Sequence, residues 1–249
     1  MPSTVWSRLI RVRVTVGYAL ALSAVMLTLL MLGPRVRDRV TEYASTNLHN
    51  LAHGRVGTLL GSAFVADSDL FYLWLPGLVC LLAVAELFWH SHRLLAVFFT
   101  GHIGATVVVA AGLFVAVEFG WLPWSVTRVV DVGMSYGVMA VAGALTAVIR
   151  ARAKPWWFAW WLSAAAAVIA ISADFTDIGH VVALLLGMAI STRLEPAVSW
   201  TPARRALFVV GVAFGYAVLV HTAELALVGV PASLLGVAVV GAVGLLARK

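Results

Sequence analysis

The sequence predicts an all-α polytopic membrane protein of about eight transmembrane helices, on three observations. The first is composition: 62% of the 249 residues are hydrophobic and 11% are charged, with a mean hydropathy of +1.00. No soluble domain hides that much apolar surface. The second is segmentation, because the apolar residues fall into eight runs, each near the ~20 residues that span a bilayer core. The third is punctuation: every second connection between runs is basic, which is how cytoplasmic loops are marked.

Taken in order, the runs cover about 14–32, 70–88, 94–117, 134–149, 156–173, 178–192, 206–221 and 226–246. The first is too long for a signal-peptide core of roughly 7–15 residues and has no small-residue cleavage site behind it, so it reads as a retained helix. Arg8, Arg11 and Arg13 precede it, and His90, His92 and Arg93 separate the second and third runs. Arg150, Arg152 and Lys154 follow the fourth, Arg193, Arg204 and Arg205 follow the sixth, and Arg248 and Lys249 close the chain. If eight helices alternate, all of these fall on one side. That side is expected to be the cytoplasm, with both termini there and the plasma membrane as the bilayer. The net charge of +6 is therefore an orientation signal and calls for no nucleic-acid partner. The single cysteine, Cys80, lies in an apolar run and allows neither an internal disulfide nor a cysteine metal cluster.

The connections on the opposite side differ in kind. Residues 33–69 form a long loop that opens with Arg35, Arg37, Asp38 and Arg39, and long loops translocate largely regardless of charge. Later it turns apolar, as VGTLLGSAFVADS, which predicts a segment lying in or dipping into the interface. A second loop, EFGWLPWSVTRVVD, sets Trp121 and Trp124 around Pro123 as an interfacial anchor; a third, ADFTD, is short and acidic. Trp156, Trp157, Trp160 and Trp161, after Lys154 and Pro155, read as an aromatic belt.

One stretch carries a candidate for chemistry: DVGMSYGVMAVAG, residues 131–143, with the spacing Gly133-x-Ser135-x-Gly137. Glycines on both sides let backbone amides and a substrate approach the Ser135 hydroxyl. Small residues also serve simply to pack membrane helices, so the motif has both readings. Ser135 precedes Arg150 by about 15 residues, or roughly 22 Å of helix against a core of roughly 30 Å, which sets it below the outer surface. His180 opens the sixth run from the same side, after Asp174 and Asp177. An intramembrane histidine is a functional candidate; one near a helix end also serves as an interfacial residue bonded to a loop carbonyl. Ala183 and Gly187 continue the His180 face as small residues, opposite Gly133, Gly137, Ala140 and Ala144 on the fourth run. Two such stripes pack closely and bring hydroxyl and imidazole within hydrogen-bond reach. Elsewhere, Glu86 with His90 and His92 fits an orientation signal better than a metal site, and His102 is expected to be a packed, hydrogen-bonded residue. His221 and Glu224 flank a turn where they pair in water, and His49 and His53 have no assigned role. No metal and no cofactor is expected.

The residues resemble the rhomboid family of intramembrane serine proteases, with GMSYG as the serine motif and GHVVALLLGMAI as the histidine helix. The likeness extends over most of Arg55 to Ile190. RVGTLLGSAF is similar to the stretch entering the second rhomboid helix, and Glu86 to the acidic residue near that helix's inner end. The resemblance implies a six-helix core within the eight helices: an N-terminal helix and outer loop (1–54), a rhomboid-like core (55–195) and two additional helices (196–249). It implies Ser135 as nucleophile and His180 as general base without an Asp, acting on a single-pass membrane substrate. The backbone amides of Ser135 and Gly133 would receive the oxyanion.

Two departures stand out. The His and Asn that family members usually carry on the second helix would fall near Leu70 and Trp74, where SDLFYLWLPGL offers only Asp69 and Tyr72 as polar residues. The tyrosine that usually follows the serine by four is Met139, and Tyr136 is expected to point elsewhere. The alternative is therefore a catalytically weak or inactive rhomboid-like protein that binds membrane client helices. A small transporter fits less well, since the runs hold few buried charges and no pair of broken helices recurs in two halves.

Overall fold

The computed structural model describes residues 9–66, 71–172, 174–195 and 199–246. Arg8, Asp69, Leu70, Arg248 and Lys249, each given a part in the sequence reading, lie outside the described residues. Among the described residues the secondary structure is helical throughout, with no strand. The helices are α1 (Arg13–Leu32), α2 (Pro34–Ala44), α3 (Leu48–Ala52), α4 (Thr58–Gly61) and α5 (Phe71–Glu118). They continue with α6 (Ser135–Ala144), α7 (Lys154–Ile171), α8 (Phe175–Ile190), α9 (Pro202–Leu219) and α10 (Ala223–Leu246). Four of them, α1, α5, α9 and α10, are long and apolar enough to cross a bilayer, as is α8 with its closing turn (Phe175–Arg193); α6 and its 3-10 continuation form a shorter apolar helix, Ser135–Val148. The chain is an all-α integral membrane protein.

Each of the eight expected runs falls on a helix, and α5 takes two of them. It bends at His90, which has φ 68° and ψ 163°. The stretch between the two runs, WHSHR (89–93), holds neither Gly nor Pro, and His90 alone takes the turn at positive φ. Glu86 fixes the start of α1 against this bend. Its buried carboxylate accepts from the backbone N–H groups of Val14 (3.0 Å) and Thr15 (2.8 Å), and from the hydroxyls of Thr15 (2.7 Å) and Ser91 (2.7 Å). Two orphan amides of the first turn are thereby satisfied by a negative charge at the positive end of the helix dipole. Both oxygens of Glu86 are engaged in this way.

The centre of the molecule is α6. Tyr136 through Thr146 are all buried, as suits a helix that is apolar on every side. It lies between α5 and α8. A β-carbon on Gly143 would collide with the Leu184 carbonyl, one on Gly187 with the Ala140 carbonyl, and one on Gly137 would meet the Phe98 ring at 2.6 Å. Gly187 therefore serves the contact between α6 and α8, and Gly137 faces α5. Ala183 is fully buried on α8. α10 packs along α7, and α9 along the first arm of α5.

The long loop folds back onto the approach to α6. Thr46 N–H donates to the Asp131 carbonyl (2.9 Å), Asp131 N–H to Ser45 Oγ (2.9 Å), and Gly133 N–H to the Ser62 carbonyl (3.0 Å). Its apolar second half is buried at Thr58, Ser62, Ala63, Val65 and Ala66. An irregular backbone beside a membrane-spanning core is tolerated because it is packed in protein and bonded in this way.

Candidate active site

The start of α6 is set by Gly133, whose φ of 128° L-residues rarely adopt. The chain turns there, Met134 caps the helix, and Ser135 becomes its first residue, half-buried. In the first helical bond the Val138 N–H donates to the Met134 carbonyl (2.9 Å). The amide of Ser135, in the first turn, thus has no partner within the helix. The start of α8 is set by Asp174, whose carboxylate accepts from Thr176 N–H (2.9 Å).

His180 follows one turn later and is only 4% exposed. Neither of its ring nitrogens has a hydrogen-bond partner, so a direct bond to Ser135 Oγ is not formed. Instead the Tyr136 ring stands edge-on to the imidazole, with centroids 5.6 Å apart and planes at 79°. Gly179 leaves room for that ring. Tyr136 does not point elsewhere. It shares one face of α6 with Ala140 and Gly143, at i, i+4 and i+7, and that face is the one pressed against α8. Met139 is buried within the core.

Two further groups meet His180. Asp177, 2% exposed, lies one turn before it on α8, with Oδ1 3.6 Å from His180 Nδ1. His221, in the turn between α9 and α10, brings its own Nδ1 to 3.5 Å from the same Asp177 oxygen, and its ring centroid to 5.9 Å from that of His180. His221 thus faces Asp177 across α8. The other oxygen of Asp177 accepts from the Ser172 hydroxyl. The i, i+3 spacing of Asp177 and His180 was a signal in the sequence for the first of these partners. Nothing local signalled the second, which lies 41 positions beyond His180.

The oxyanion side is partly occupied. Gly133 N–H is committed to the Ser62 carbonyl, whereas the Ser135 amide sits at the head of α6. The same Ser62 places its hydroxyl 3.1 Å from Nε2 of His102, a buried residue stacked near Phe98. This pair ties the loop to the second arm of α5 beneath Gly133. Asp131, just before the motif, has its carboxyl pushed up to about 6, first by burial and then by the charge of Asp174, against the hydrogen bond from Thr46. A separate apolar cavity of about 520 Å³ lies between α3, the far end of α5 and the Trp124–Arg128 turn. It is lined by residues such as Leu51, Leu59, Ala111 and Phe114, and by neither Ser135 nor His180.

No curated protein and no solved structure matches this chain. A family model described as rhomboid-like protein matches residues 11–199. That stretch runs over α1 to α8 and contains the loop, the bend at His90, the serine motif and the histidine helix. It covers well over half of the chain, so this protein belongs to the rhomboid-like family.

Proposed function

We propose that this protein is an intramembrane serine protease in which Ser135 attacks a peptide bond of a single-pass transmembrane substrate and His180 takes its proton. The observation that carries the reading is the state of His180. It is a buried imidazole with neither nitrogen in a hydrogen bond, one turn into α8, held against the tyrosine that directly follows Ser135, with the Asp177 carboxylate 3.6 Å from Nδ1. A buried base whose Nε2 is free of hydrogen bonds is suited to accept a proton from a nucleophile brought to it. The serine–histidine bond then tightens when a substrate strand enters, as catalytic bonds commonly do on complex formation.

In the reaction, Ser135 Oγ adds to the scissile carbonyl as its proton passes to His180. The oxyanion is received by the Ser135 amide at the head of α6, where the helix dipole favours negative charge. His180 returns the proton to the leaving amine, and water then hydrolyses the acyl-enzyme with the same base. Gly133 supports the turn, and its amide joins the oxyanion site only by leaving Ser62. The site opens to the outer side of the plasma membrane, with both termini in the cytoplasm. Residues 55–195 act as the core unit with the N-terminal helix, and α9 and α10 are an addition to it.

A second reading has a specific observation in its favour: the Gly133 amide is bonded to Ser62 and His180 is not bonded to Ser135. On that reading the protein binds client helices without cleaving them. A fluorophosphonate or isocoumarin probe applied to the purified protein decides between the two. Labelling at Ser135 that is lost in both Ser135→Ala and His180→Ala supports the protease. No labelling, together with a Ser135→Ala strain that behaves as wild type, supports the binder.

A further inference from the structure

We propose that Asp177, His180 and His221 form a binding site for a divalent transition-metal cation, with zinc the best match to the ligand set. The sequence reading assigned no metal and took His221 as a partner of Glu224 in water. In the fold, one ligand atom from each residue lies within 4.8 Å of the others. Asp177 Oδ1 stands 3.6 Å from His180 Nδ1 and 3.5 Å from His221 Nδ1. In a tetrahedral zinc site with bonds of ~2.0–2.1 Å, neighbouring ligand atoms are roughly 3.3–3.4 Å apart. These separations exceed the usual ~2.7–3.2 Å of an N–H···O bond and come within a few tenths of an ångström of that tetrahedral edge.

A second, independent observation points the same way. Asp177 Oδ1 and both ring nitrogens of His180 are buried without a hydrogen-bond partner. Unpartnered polar atoms that converge inside a protein are uncommon and mark a place where something binds. The remaining oxygen of Asp177 is held by the Ser172 hydroxyl, which itself accepts from Asp174 N–H at 3.1 Å. An outer-shell bond of this kind orients a carboxylate toward a metal. Two imidazoles and one carboxylate favour zinc over magnesium or calcium, which prefer all-oxygen sites. The His221 side chain is 44% exposed, so it gives the ion a route in from solvent and leaves a fourth position for water.

Occupancy bears on the protease reading above, on which this part of the inference rests. A neutral imidazole has one N–H. A cation on His180 Nδ1 leaves that proton on Nε2, so the ring donates there and cannot accept the serine proton. Zinc therefore holds the enzyme inactive, and its release restores the base.

The test uses the tag-free, full-length protein in detergent micelles, stripped with a chelator and titrated with Co²⁺. The expected result is the visible absorption of tetrahedral Co²⁺, saturating near one equivalent and displaced by Zn²⁺. His221→Ala and Asp177→Asn should each weaken Co²⁺ affinity at least tenfold. His221→Ala changes a side chain in the exposed turn between α9 and α10, and an unaltered metal-free melting curve checks its folding. The other close histidine pair, His49 and His53, with centroids 4.3 Å apart, provides the control, and the variant lacking both should bind as the parent does. Absence of saturable binding, or loss only in the His49/His53 variant, overturns the site. A serine probe supplies the second arm: zinc should suppress Ser135 labelling in the parent and not in His221→Ala. If chelator-treated protein never labels, the protease reading fails while the Co²⁺ titration still decides the metal site.

Discussion

The carbonyl oxygen of Ala140 occupies the space that a β-carbon on Gly187 would need, so α6 and α8 meet backbone against backbone. This contact, together with Gly143 against the Leu184 carbonyl, sets how closely the serine and histidine helices approach. Gly187→Ala should therefore destabilise the protein by about 1–3 kcal/mol, and Gly187→Leu by more, since neither carbonyl nor central helix can yield. Gly137→Ala should be milder, because it meets the edge of the Phe98 ring, which can swing. Thermal unfolding in detergent ranks the three, and a Gly137→Ala variant less stable than Gly187→Ala would contradict this account of the seam.

Gly133 presents the opposite situation. A β-carbon there would find no atom closer than Ser135 N at 4.0 Å, but the φ of 128° is unfavourable for any L-residue. The loss should be conformational, about 1–2 kcal/mol for Gly133→Ala and more for the β-branched Gly133→Val. Both should also reduce probe labelling at Ser135, by displacing the first residue of α6. Unchanged labelling in Gly133→Val would separate the turn from the site.

Asp131 makes stability depend on pH. Burial raises its carboxyl to about 6, against an ordinary value of about 3.9. Between those two values the folded state keeps a proton that the unfolded state has released. The contribution of this group is thus most favourable below about pH 4 and falls as pH rises to about 6, by roughly 1–3 kcal/mol after allowance for solvent. Melting temperatures of the parent and Asp131→Asn, compared across that window, should diverge in favour of the variant as pH rises. Parallel curves would remove the assignment.

Glu86→Gln tests the link between α1 and the bend of α5. The amide keeps one acceptor, loses the charge, and turns an NH₂ toward groups that are themselves donors: the Val14 and Thr15 amides and two hydroxyls. A loss of about 2–3 kcal/mol is expected, measured by denaturant unfolding. Protection from proteolysis should fall first near Arg13. A neutral effect would mean that water replaces these bonds readily.

Orientation is open to a direct measurement. With Cys80 replaced, a cysteine at Arg152 or Arg204 should be shielded from an impermeant thiol reagent added to intact cells, and one at Trp124 should react. Labelling at Arg152 from outside would invert the assignment and move Ser135 to the cytoplasmic side.

Membrane class and the position of every apolar run were legible in the sequence by itself, because the bilayer imposes them locally. Hydrocarbon thickness sets segment length, and Arg and Lys mark segment ends. The serine motif and histidine helix were legible for a related reason, as short patterns of small and polar residues. What faces what was decided only in the tertiary structure. Helix α6 is apolar all round, so no face of it is marked in advance, and the side on which Tyr136 meets His180 follows from where α8 crosses. The Gly133 amide went to Ser62, 71 residues earlier, and Glu86 went to the first turn of α1. His221 met Asp177 rather than the nearby Glu224. For the Gly133 amide and the Glu86 carboxylate, polar groups packed inside the protein found their partners in the fold, and in all three cases the contact came from a distant helix or loop, beyond what any window of sequence contains.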